Sequence, residues 1–154
     1  MKLKKGLLNA SLDGIISGIL LTIFFKSVEY LTTYKVYTLL LNVDYIPFLN
    51  QYKLTEIVEV ILHLIVSVAL SMCLYILVHY MKMTSQRKII LIYIFVCFIF
   101  GILIFPTTAL STRTPSITSI PSLTYWLAGH LLYGYTLGFS ITRRLIALFS
   151  SNQK

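Results

Sequence analysis

The sequence predicts an all-α polytopic membrane protein, a four-transmembrane-helix bundle in one domain with both termini cytoplasmic. Three observations predict it. Hydrophobic residues make up 57% of the 154 residues and charged residues only 12%, against about 25% charged in a soluble domain; mean hydropathy is +0.83. The apolar residues gather in four stretches near the length a helix needs to cross hydrocarbon, about 17–25 residues. The basic residues behind the net charge of +8 sit at the ends of those stretches and form no stripe. They read as topogenic charge, so the expected partner is a lipid bilayer and not nucleic acid.

The first span covers residues 7–33, after a basic start at Lys2, Lys4 and Lys5. Asp13 interrupts it and no small-residue cleavage site follows, so it reads as a retained helix and not as a signal peptide. Ala10, Gly14, Gly18 and Thr22 recur every four residues, a small-residue face that lets a second helix come close. Lys26 is the next step of that ladder, which puts its charge on the packing face. Residues 34–54, with Asp44, Pro47, Asn50 and several tyrosines, read as an interfacial loop containing a short amphipathic turn.

The second span, residues 55–80, carries Glu56, Glu59 and His63 in its first third. Glu59, His63, Ser67 and Ser71 lie four apart and make one polar stripe. A basic turn at 82–88 leads to the third span, residues 89–106, the most uniformly apolar one, closed by Pro106. A Ser/Thr/Pro-rich loop follows. The fourth span, residues 122–141 with a possible helical extension to Phe149, sets His130, Gly134 and Gly138 on one face, ends at Arg143 and Arg144, and is followed by a frayed SSNQK tail. Cys73 and Cys97 lie mid-segment with no metal-ligand spacing and read as buried free thiols. Lys2, Lys4, Lys5, Lys82, Arg87, Lys88, Arg143, Arg144 and Lys154 fall on one side of this topology. Only Lys35, Lys53 and Arg113 fall on the other, so the positive-inside rule makes the first side cytoplasmic.

At a rise of about 1.5 Å per residue, Lys26, Glu29, Glu59, His63 and His130 come to one layer in the outer half of the bilayer. A charge in hydrocarbon costs a few kcal/mol unless it is paired, so these groups, with Ser67 below them, are expected to converge. Lys26 is expected to neutralise Glu29 or Glu59, and Glu56, at the water boundary, needs no partner. Gly14, Gly18, Gly134 and Gly138 offer no chemistry and read as helix-packing residues.

Four pieces of the chain then resemble the YagU-like family of bacterial inner-membrane proteins. They are Gly14 and Gly18 leading into Lys26-Ser27-Val28-Glu29; His63 with Ser67 and Tyr75; Phe105-Pro106 before a proline-containing loop; and Gly129-His130-Leu131 with Arg143-Arg144. The chain departs from that pattern in a shorter first outer loop and in Tyr133-Gly134 after the histidine. The resemblance implies a bacterial inner-membrane location, no established reaction, and a loose link to acid tolerance.

The residues themselves leave several functions open. The first is a non-enzymatic protein whose Lys/Glu/His cluster responds to protons or to a small polar ligand. A second is a four-helix cofactor protein with His63 and His130 as axial ligands of a b-type haem. A third is a scaffold subunit that forms a homo-oligomer or holds a membrane partner through its glycine faces. An enzyme is the least supported, since no metal site, activated nucleophile or phosphate loop is present.

Overall fold

The computed structural model describes residues 2–150, without the side chains at 2, 50 and 145–150. Lys154 and the tail from Ser151 lie outside the described residues. Every element is helical: α1 (Lys2–Thr32), a short α2 (Val36–Leu41), α3 (Glu56–Tyr80), α4 (Gln86–Ile104) and α5 (Ile120–Ser150). Short 3-10 segments, Leu49–Gln51 and Phe105–Leu110, punctuate the connections. A long helix thus lies at each expected span, with α1 and α5 extended by several residues.

The helix ends follow from local chemistry. α1 stops where Thr33 enters the left-handed region at φ 65 and its N–H returns to the Glu29 carbonyl at 2.9 Å. α3 ends in a Schellman motif. Lys82, at φ 48, donates to the His79 carbonyl, and the Met83 N–H donates to that of Val78 at 3.3 Å. α4 gives way to a 3-10 turn at Phe105-Pro106, because Pro106 has no N–H to continue the helical ladder.

Three helices, Leu3–Thr32, Glu56–Tyr80 and Gln86–Leu110, are long and apolar enough to cross a membrane. The surface supports the same reading. Leu8, Ile16, Ile23, Ile57, Ile65, Leu91, Phe95 and Leu103 are each more than half exposed, whereas Asp13, Ser17, Glu59, Ser67, Ser71, His130 and Thr142 are buried. Polar groups inside and aliphatic groups outside suit hydrocarbon as the surrounding solvent.

α5 is less apolar, yet it runs the length of α1 in the opposite direction. Near its start the Trp126 ring stacks on Phe25, centroids 5.1 Å apart, and near its end Arg144 reaches Asp13 at 2.9 Å. The long helices pack side by side as α3–α1–α5–α4, and α2 folds down over α1, α3 and α5. α3 and α4, at the ends of this row, do not pack against each other. That gap positions the candidate site.

Candidate functional site

The small-residue ladder of α1 meets the serine stripe of α3. Ser71 donates to the Ala10 carbonyl at 2.6 Å and Ser67 to the Gly14 carbonyl at 2.7 Å. These contacts need the backbones close: a Cβ at Gly14 would lie 3.0 Å from the Val68 backbone. His63 is the next step of the stripe and lies against the Gly18 backbone. Its Nε2 is buried and has no hydrogen-bond partner among the described residues.

α5 supplies the second imidazole. His130 Nδ1 is 2.9 Å from the Trp126 carbonyl one turn earlier. A carbonyl only accepts, so this hydrogen bond assigns the proton of the neutral ring to Nδ1 and leaves Nε2 as a lone-pair acceptor. Trp126 packs at 4.4 Å between ring centroids and is itself fixed by donating to the Gly101 carbonyl at 2.9 Å. Gly101 is required here, since a Cβ on it would come within 2.9 Å of the His130 ring.

His63 and His130 line one cavity of about 210 Å³, set between α3 and α4. Its walls are mostly leucine, isoleucine and aromatic side chains, with residues 39–46 forming one end. Tyr133 also lines it, but its hydroxyl is already 2.8 Å from Ser67 Oγ and donates to the Ser67 carbonyl at 3.2 Å.

The structure does not gather all of the expected cluster here. Glu59 lines the cavity, but its carboxylate takes hydrogen bonds at 3.1 Å from both terminal nitrogens of Arg113. Arg113 is also 3.8 Å from Asp44, which accepts a hydrogen bond from Ser111, so the loop after α4 is strapped across the start of α3. Hydrogen bonds to Glu59, and then the charges of Glu59 and Asp44, hold the Arg113 pKa above its ordinary value, against burial. Lys26 is not on a packing face: it is 61% exposed and pairs with Glu56 at 2.7 Å, not with Glu29 or Glu59. Glu56, expected to stand alone, also accepts from Tyr37 at 2.6 Å. Burial first, and that hydrogen bond second, push the Tyr37 phenol above the usual tyrosine range. Glu29 accepts from both the N–H and the hydroxyl of Thr38 at 2.8 and 2.7 Å, and so anchors α2.

The remaining expectations sort themselves by packing. Ser67 is a helix-pairing residue, with its hydroxyl engaged. Gly14 and Gly18 face α3, and Gly134 and Gly138 face α4 at Tyr93, Ile94 and Ile90, so the glycine faces are filled within the chain. Cys97 is buried and Cys73 exposed. The haem alternative fits poorly. His130 has its indole neighbour at 4.4 Å, and the cavity of about 210 Å³ is below the ~300 Å³ at which drug-sized ligands begin to be enclosed.

Arg113, Asp44, Tyr37 and Trp126 are not among the site residues expected from the sequence. Only Trp126 gave a signal, as the single tryptophan one turn before a histidine. Comparison with protein-family models, curated proteins and solved structures finds no match to this chain.

Proposed function

We propose that this chain is a four-span integral membrane protein, with both termini cytoplasmic, that binds a small ligand in the histidine-lined cavity of its outer half. The antiparallel run of α5 along α1 supports the fourth span, although α5 alone is less apolar. The resemblance to the YagU-like family would place it in a bacterial inner membrane. One observation carries the binding reading: two imidazoles share a cavity whose other walls are mostly apolar, and one has a buried Nε2 without a hydrogen-bond partner among the described residues. An unsatisfied buried polar atom costs about 1–3 kcal/mol, a cost that an occupant with a matching group removes.

The ion pairs frame this site and do not act in it. Lys26–Glu56 lies at the boundary, and Arg113 holds Glu59, the carboxylate that lines the cavity. A proton relay through all five groups is therefore less well supported than binding. The test is untargeted mass spectrometry of molecules co-purifying with the wild type and with a His63→Leu/His130→Leu variant. At least one small molecule is expected to be enriched with the wild type and lost from the variant. Identical extracts from both would end the binding reading.

A further inference from the structure

We infer that the cavity takes a neutral lipid with a hydroxyl head group, whose chain extends between α3 and α4 into the bilayer. This rests on the binding reading above and names the ligand class. The first argument is the direction of entry. Ile65 and Val66 of α3 and Phe100 of α4 line the cavity and are also exposed, so the mouth is rimmed by apolar side chains. The opposite end is lined by Leu39 to Val43, Tyr45 and Ile46, of which only Tyr45 is exposed. An entrance flanked in this way faces hydrocarbon and not water.

The second argument is size. A cavity of about 210 Å³ encloses less than a drug-sized molecule, which takes about 300–1,000 Å³. It accommodates a head group and the first part of a chain, and the rest of the chain extends between α3 and α4, which do not pack closely on each other.

The third argument is charge. Among the described residues no Lys or Arg lines the cavity, and its one carboxylate, Glu59, is bound by Arg113. An anionic phosphate or carboxylate head would be desolvated without a counter-charge, and a cationic head would have to displace Arg113. A neutral head meets neither cost.

The fourth argument is hydrogen-bond polarity. His130 Nδ1 donates to Trp126, so the Nε2 of the neutral ring accepts. An occupant that meets it must donate, which a hydroxyl does and an ether or ester oxygen does not. His63 Nε2 and the donor Asn42 Nδ2, both without a partner among the described residues, are the other candidate contacts, and a hydroxyl accepts from an amide as well as donating.

Trp126, the single tryptophan, lines the cavity against His130 and reports on it directly. The experiment uses wild-type protein in phosphatidylcholine nanodiscs. Trp126 emission is followed while oleyl alcohol, farnesol, the methyl ether of each, or oleate is added. Saturable changes are expected with at least one alcohol, about tenfold weaker with its ether, as loss of one buried hydrogen bond implies. The better alcohol tells an acyl-type from a prenol-type source. Equal binding of ether and alcohol, tighter binding of oleate, or no saturable response to either alcohol overturns the inference. If mass spectrometry meanwhile finds a water-soluble molecule lost from the double-histidine variant, the binding reading survives and only the lipid class falls. Because the ether comparison uses the wild type alone, no misfolded variant can obscure the outcome.

Discussion

Arg113 reaches back to a carboxylate 54 residues away, with its own side chain 49% exposed and that of Glu59 only 6% exposed. Such asymmetry makes the two partners unequal to mutation. Removing the arginine leaves a buried charge facing an apolar cavity, whereas removing the charge leaves an arginine free to turn to solvent. Arg113→Met is therefore expected to destabilise by about 2 kcal/mol and Glu59→Gln by less. The double variant should recover part of the loss, and denaturant unfolding in micelles measures the cycle. Equal, additive effects would show that the pair carries no coupling. At this scale the sequence was legible in part. Glu59 drew attention because a carboxylate inside an apolar stretch demands a partner. Arg113 did not, because it sits in a Ser/Thr/Pro-rich loop whose path no local rule specifies. Asp13 and Arg144 repeat the lesson: each was noticed as an interruption or a stop, and neither position shows that they pair at 2.9 Å.

At the scale of the helix the four-residue ladders were readable, because spacing on one helix is a local property. Which ladder meets which is a tertiary choice. Ala10 and Gly14 accept from Ser71 and Ser67, while Gly134 and Gly138 receive α4. A Cβ at Gly134 would come within 2.8 Å of the Ile94 Cα and the Tyr93 carbonyl, backbone atoms that cannot rotate away. At Gly138 the nearest atom is the Tyr93 Cβ at 3.0 Å. Gly134→Ala is therefore expected to cost about 1–3 kcal/mol and Gly138→Ala less, measured by the same unfolding titration. The end of α3 offers the opposite sign. Lys82 holds φ 48, a left-handed conformation that costs a side chain roughly 1–2 kcal/mol. Lys82→Gly should stabilise by up to about 1 kcal/mol once the greater freedom of unfolded glycine is subtracted. A lower midpoint for this variant would mean that the lysine side chain makes contacts outweighing the strain.

For the molecule as a whole, the decisive question is whether α5 crosses the bilayer. Composition argues weakly, because Trp126, His130, Gly134 and Gly138 lower its mean hydropathy. The packing explains why those residues are there. Ser122, Trp126, His130 and Thr142 are buried, while Leu131, Leu132, Tyr135 and Phe139 are exposed. The helix places its polar and small residues, beside Leu137 and Ile141, where it meets α1 and α4, and apolar residues where it meets the surroundings, and an average over both faces hides this. Its two ends lie beside opposite ends of α1, through Trp126 on Phe25 and Arg144 on Asp13. If α1 spans, α5 must span with it. Single cysteines placed in a variant lacking Cys73 and Cys97 test this with a thiol reagent that cannot cross membranes. Ser116→Cys, in the loop before α5, should be labelled from outside intact cells. Ser85→Cys, between α3 and α4, Lys5→Cys, at the start of α1, and Ser151→Cys, after α5, should be labelled only after the membrane is opened; labelling of Ser151→Cys from outside would show that α5 does not cross. Should Ser116→Cys share the protected side with Ser85→Cys, α4 would not cross. The cavity between α3 and α4 would then have no outer half to occupy.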